Sequence, residues 1–236
     1  MTTSFLSTRR GQVTLLFLCG VAFLDFVDAS IVNVALPSIR SSLRFSVQNL
    51  QWVLSAYLLT YGGFLLLGGR MADLLGRRRV LVTGIGLFAV SSLIGGLAAS
   101  SGMLVAARLA QGFGAALMLP AALSILTTTF NEGTDRIKAI SAWGAVAGLA
   151  SAVGVFLGGV LSQTLGWRWV LFVNLPVCVL DLWAAFRLVS AEHGRAPLKH
   201  FDTRGAALMT GGMLLVVFTL VRAPEVDGTT AEPLGA

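Results

Sequence analysis

The stretch "GGRMADLLGRRRVL" (residues 68–81) decides how this chain is read. It sets one aspartate, three glycines and four arginines between two apolar runs. A near copy, "GGVLSQTLGWRWVL", occupies residues 158–171, and seven of the fourteen positions match at an offset of 90. Each copy lies between the second and third apolar run of a group of three. Three membrane crossings is an odd number, so the second group enters the bilayer inverted relative to the first. This is the 3+3 inverted-repeat pattern of secondary transporters.

Composition agrees with a membrane setting. Hydrophobic residues make up 56% of the chain and charged residues 12%, about half the charge of an ordinary soluble domain. Mean hydropathy is +0.82. The 27 glycines suit helices that approach closely in lipid. Crossing a bilayer takes about 20 apolar residues, and the sequence predicts seven spans: 13–36, 50–69, 80–99, 103–126, 139–161, 167–187 and 205–222. The first is too long and too acidic for a signal peptide. The predicted architecture is an all-α integral membrane protein. It has a cytoplasmic N-terminus (1–12), a six-span bundle (13–187), a cytoplasmic linker (188–204), a seventh helix (205–222) and a polar tail (223–236).

Orientation follows from the basic residues. With the N-terminus inside, cytoplasmic segments hold Arg9, Arg10, Arg70, Arg77, Arg78, Arg79, Arg136, Lys138, Arg187, Arg195, Lys199 and Arg204, twelve of the 17. Outer segments hold Arg40, Arg44, Arg168 and Arg222, and Arg108 lies within a span. The net charge of +6 is therefore topology rather than a nucleic-acid footprint. The expected location is the plasma (inner) membrane, with the N-terminus cytoplasmic. Cys19 and Cys178 fall in apolar runs, and their placement predicts neither a disulfide nor a metal site. No H-E-x-x-H, P-loop, G-x-S-x-G or Cys–His pair is present, so the sequence predicts no enzyme.

Gly69, Asp73, Gly76 and Arg77–Arg79 form G-x-x-x-D-x-x-G-R-R-R in what reads as a short cytoplasmic loop. Glycines permit a tight turn there, and Asp73 can meet helix N-termini or an arginine. This stretch resembles the loop signature of the major facilitator superfamily. "RLAQGFGAA" (108–116) resembles its fourth-span R-x-x-Q-G motif, and Asp28 with "ASIVNVALP" (29–37) resembles the first-span motif of the fourteen-span drug:proton antiporters of the QacA/EmrB type. "LGWRWVLFVNLP" (165–176) is similar to that family's entry to span six. Two departures stand out: Leu74 occupies a position that is often arginine, and "GVFLGG" (154–159) has Val155 where the fifth-span antiporter motif has proline. Gly154, Gly158 and Gly159 of that motif remain as close-packing positions.

Two aspartates, Asp25 and Asp28, interrupt the first span. An ionisable residue inside a membrane is costly and is functional by default. At about 1.5 Å per residue, Asp28 and Arg108 each lie about 8 Å from the outer side of a roughly 30 Å core. Asp25 and Gln111 fall near mid-depth by the same count. Each pair of neighbours is i,i+3 and shares a helix face. One polar cavity between spans one and four is therefore expected, with Asp28 and Asp25 carrying a proton. The resemblance implies that Arg108, Gln111 and Asn33 line the cavity and that the Gly69–Arg79 segment acts as a gate. Desolvation and a nearby cation act in opposite directions on a carboxyl group, so moving the cation or admitting water can load or unload a proton. Asp181 in span six is expected to reach the cytoplasmic interface beside Arg187, Pro120 and Pro176 to kink their helices, and His193 and His200 to sit in solvated linker.

The resemblance implies secondary transport by alternating access: proton-coupled export of small amphipathic molecules or drugs, with the proton gradient as energy source and no cofactor. It also implies fourteen spans in two bundles. A second bundle, or a second copy of the chain, is expected as partner. The alternatives are a truncated half that binds a partner without transporting and a facilitator-type importer.

Overall fold

The computed structural model describes residues 5–130, 132–190, 205, 208, 210–216 and 218–219. Every regular element among them is a helix. After a 3-10 turn at Phe5–Ser7 come α1 (Arg9–Leu43), α2 (Val47–Leu50), α3 (Trp52–Leu75), α4 (Arg77–Gly96), α5 (Ser101–Thr129), α6 (Thr134–Thr164), α7 (Trp169–Phe172) and α8 (Asn174–Leu188). They supply six segments long and apolar enough to cross a membrane: α1, α2 with α3, α4, α5, α6, and α7 with α8. The described residues from 205 to 219 are also helical. Of the predicted linker, Leu188 instead closes α8; its remainder from residue 191, with His193 and His200, the rest of the predicted seventh span and the polar tail lie outside the described residues.

Caps explain where several helices begin. The Thr8 hydroxyl accepts from Gly11 N at 3.1 Å at the start of α1, and Ser100 Oγ accepts from Met103 N at 3.3 Å at the start of α5. Each satisfies a backbone donor that has no partner within its helix.

The helices outrun their predicted spans. Charged residues end an apolar window but do not end a helix that projects beyond the hydrocarbon. The predicted loop around Gly69–Arg79 is therefore a single-residue turn. Gly69 and Asp73 belong to α3, Arg77–Arg79 open α4, and only Gly76 intervenes. Its φ of 95° lies where a Cβ is strained. Span six is broken at Val173 into α7 and α8, which places Pro176 in the first turn of α8. That position tolerates proline without a kink. Pro120 lies within the continuous helix α5.

Packing reproduces the inverted repeat. α5 packs most extensively on α3 and α4, and α1 on α6. Exchanging each span of the first three for its counterpart in the second three turns the α1–α6 pair into the α5–α3 pair. The matched glycines mark equivalent contacts. A Cβ on Gly68 would come within 2.0 Å of the Ala116 carbonyl oxygen in α5, and one on Gly158 within 2.9 Å of the Ile31 carbonyl oxygen in α1. The turn glycines match as well: Gly166, 90 residues after Gly76, has φ 94°. A backbone this close excludes any side chain at these positions.

Two apolar clusters fill the bundle. One lies toward the end where α1 begins and where Arg77–Arg79 are found, here termed the basic end; it includes Leu24, Phe88, Ala115 and Cys178. The other lies toward the opposite end and includes Val27, Ala98, Leu104 and Leu171. α1, α3, α5 and α6 each contribute to both clusters, as does the span formed by α7 and α8. The polar residues of these spans are concentrated at the junction.

Candidate functional site

Asp28 is fully buried at that junction, and three side chains from two other spans converge on it. Arg108 Nη1 of α5 donates to its Oδ2 at 2.6 Å. Gln111 Nε2, one turn along α5, donates to Oδ1 at 2.8 Å. Asn174 Nδ2, at the start of α8, donates to the same oxygen at 2.6 Å. The network continues outward: Arg108 Nη1 donates to Gln111 Oε1 at 2.6 Å, Arg108 Nε to the Val53 carbonyl at 3.1 Å and Gln111 Nε2 to Ser92 Oγ of α4 at 2.9 Å. Arg108, Gln111 and Asn174 are each 1% exposed. The expected polar cavity between spans one and four is thus a packed polar knot joining five of the six spans.

Asp25 occupies a second limb of the knot. It accepts a hydrogen bond from the Tyr57 hydroxyl of α3. The Tyr57 ring lies beneath the Arg108 guanidinium, with Cζ 4.3 Å from the ring centroid, and stacks on Tyr61 at 5.8 Å. One aromatic ring therefore contacts both charged limbs. A desolvated guanidinium over a ring face is attracted by its quadrupole.

The chemistry of the knot follows from its hydrogen-bond inventory. Both oxygens of Asp28 are engaged by donors from α5 and α8. A protonated carboxyl needs an acceptor for its own hydrogen, and each of these partners presents N–H to Asp28. In this arrangement Asp28 accepts three N–H donors and so ties α1 to both α5 and α8.

Of the residues singled out in the sequence, the structure brings Asp25, Asp28, Arg108 and Gln111 together. Asn33 is exposed on α1. Three members of the knot were not anticipated: Tyr57, Ser92 and Asn174. The chain's only two tyrosines, Tyr57 and Tyr61, share a helix face at i,i+4, and that spacing was the available signal. Asn174 lies inside a quoted motif; Ser92 has no distinguishing signal. Asp181, expected at a membrane interface, is instead buried at 6% exposure, while Arg187 lies over the Trp183 ring at 5.6 Å.

At the basic end, Gly69 and Asp73 lie on the last turns of α3 and Asp73 is exposed. Arg77 Nη1 donates to Thr128 Oγ1 at 3.1 Å, and Arg78 Nη2 to the Phe186 carbonyl at 3.2 Å. These bonds attach the turn to α5 and α8, and Arg79 stays exposed. On α6, a Cβ on Gly154 would come within 2.9 Å of the Val27 carbonyl oxygen, so Gly154 and Gly158 both press on α1. Gly159 faces open space, and Val155 is 55% exposed, turned away from that contact. Among the described residues no group of three or more His, Cys, Asp or Glu is gathered.

Comparison with known proteins gives a consistent answer. Residues 18–225 match the Major Facilitator Superfamily. The chain is 42% identical over 222 residues to the cephamycin export protein CmcT of Amycolatopsis lactamdurans, covering 92% of this chain and 45% of that protein. It is 42% identical over 209 residues to the puromycin resistance protein of Streptomyces alboniger, covering 89% and 41%. The chain thus spans about half the length of the curated relatives it matches. Among solved structures, a peptide transporter POT in complex with sulfate superimposes with a TM-score of 0.69 at 16% identity, over 92% of this chain and 50% of that one. A bacterial homologue of the human lysosomal transporter Spinster, in an inward-facing and occupied conformation, gives 0.67 at 20% identity, over 82% and 47%. These likenesses show a shared fold. By motif, by matched length and by helix arrangement, this multi-pass membrane chain belongs to the major facilitator superfamily.

Proposed function

We propose that the chain is the N-terminal bundle of a secondary transporter that exports small amphipathic molecules of the antibiotic type in exchange for protons. The carrying observation is the buried Asp28–Arg108 pair, with both oxygens of Asp28 held by donors from α5 and α8. An intramembrane ion pair of this kind is expensive to bury, and proton exchange at Asp28 would switch the packing of α1 against α5 and α8. Asp25, through Tyr57 and the Arg108 guanidinium, is coupled to the same event. Relatives whose names denote export of, or resistance to, antibiotics support the direction and the substrate class. The proton gradient supplies the energy, with no cofactor.

On this reading the N-terminus and the basic end are cytoplasmic, in the plasma membrane, as the asymmetry of arginines favours. The Gly69–Arg79 segment gates the cytoplasmic side. Asn33, exposed on α1, faces the substrate path. A second bundle, or a second copy of the chain, completes the cavity, because the relatives are about twice as long.

The test is flux in inside-out vesicles that carry the assembled transporter. An acid lumen is expected to drive an amphipathic antibiotic inward, and Asp28→Asn to abolish the acceleration. Equal uptake with and without the gradient, unchanged by Asp28→Asn, overturns the reading.

A further inference from the structure

Asp181 has no role in the site described above. Its carboxyl is buried between α8 and α1 in an arrangement unlike that of Asp28. Among the described residues Oδ2 is buried without a hydrogen-bond partner, and no ion pair involves the side chain. Oδ1 sits against Gly20 of α1: a Cβ built there would come within 3.2 Å of it. The missing side chain of Gly20 leaves the space that the carboxyl occupies.

The position is specific. Asp181 is seven residues along α8 from Asn174, about 10 Å nearer the basic end. Gly20 is eight residues before Asp28 on α1, about 12 Å in the same direction. The buried face of α8 runs through Asn174, Cys178, Asp181 and Ala185, so one seam links the knot to Asp181. At the basic end, α1 and the residues closing α8 line a cavity of about 290 Å³ that includes Arg10, Thr14, Thr128, Leu188 and Ser190. Thr14 is six residues from Gly20, and Leu188 seven from Asp181. The cavity therefore ends about 10 Å from the carboxyl along either helix.

Titratable or charged groups on the packed elements are Cys178 and Arg187 on α8, Arg9, Arg10, Cys19, Asp25, Asp28 and Arg40 on α1, and Arg77–Arg79 on α4. None of them forms a hydrogen bond or ion pair with Asp181. A buried carboxyl with neither a cation nor a donor is unstable as an isolated charge, and its free oxygen is open to a hydrogen.

We propose that Asp181 is a second proton-binding site, loaded from the basic-end cavity along the α1–α8 seam and separate from the Asp28–Arg108 knot. The step is one O–H bond, formed with a proton from water and broken by its return to water; nothing is oxidised. The inference rests on the proton-coupled reading above only for its purpose in transport. The binding itself is a property of this seam.

The experiment is infrared difference spectroscopy of the chain in lipid vesicles as pH is changed. It reads the carbonyl stretch of protonated carboxylic acids and requires no substrate flux. Asp181→Asn is expected to remove one pH-dependent carboxyl band that Glu132→Gln, at an exposed site, leaves in place. Asp181→Glu keeps a carboxyl and is expected to move that band rather than remove it. It also serves if the asparagine variant does not fold. A difference spectrum that neither Asp181 variant alters overturns the proposal, because the side chain then keeps one protonation state throughout. Loss of the band with no proton-driven flux in the vesicles would retain this proposal and reject the transport reading.

Discussion

Asp28 of α1 and Asp181 of α8 are both carboxyls buried at the α1–α8 seam, about 10 Å apart along the helices, and their surroundings are opposite. Asp28 is gripped by a guanidinium and two amides. Asp181 has an oxygen with no donor and lies in the space left by a glycine. A carboxyl enclosed by donors clamps the helices that present them, so its removal is a mechanical event. A carboxyl without donors holds nothing together, so its occupancy by a proton can change with little structural cost. The seam between α1 and α8 thus carries a clamp from one side and an exchangeable site from the other, and the two need not act at the same moment.

The comparison is broken most directly at Arg108. Arg108→Leu leaves Asp28 buried without its cation and is expected to cost about 3–5 kcal/mol. The check is thermal unfolding in detergent, or loss of folded material. Replacing both partners, Asp28→Leu with Arg108→Leu, should recover most of that loss, because an apolar pair removes both desolvation penalties. Failure to recover would mean that the clamp also positions α8 through Asn174. Next in size is Tyr57→Phe. It keeps the ring beneath Arg108 but removes the hydroxyl donated to Asp25, and should cost about 1–3 kcal/mol. Gly68→Ala is expected to cost a similar amount, about 1–3 kcal/mol from overpacking, because its Cβ would meet backbone. Gly144→Ala, with open space around it, should be neutral or stabilising by up to about 1 kcal/mol. The smallest effect is assigned to Asp181→Asn, which removes no hydrogen bond. Unfolding temperature unchanged from the parent sharpens the contrast with Asp28; a loss as large as that of Arg108→Leu would erase it.

The spans were legible because hydrophobicity over about 20 residues is a property of sequence alone. The level pairing of Asp28 with Arg108 was legible because helical rise is constant. Their ends were less so: Arg70 and Asp73 look like loop residues only if a helix must stop at the hydrocarbon edge. Tyr57 and Asn174 were hidden because residues in different spans meet through tertiary packing, which periodicity does not encode. Asp181 was misplaced for a similar reason. Snorkelling is the default for a charge near a span end, and only the glycine facing it across α1 makes burial geometrically feasible.

The two turn glycines carry a consequence for the surface of the bundle. Gly76 and Gly166 adopt the same φ, 95° and 94°, at matching points of the two copies. The residues that follow differ: Arg77, Arg78 and Arg79 in the first, Trp167, Arg168 and Trp169 in the second. Shape was kept while charge was exchanged for aromatic surface. Arg168 now lies over the Trp167 ring at 4.6 Å and donates to the Ala98 carbonyl at 3.1 Å. The same turn therefore presents a basic tip at one end of the bundle and an aromatic tip at the other, so one backbone shape serves two chemically different surfaces.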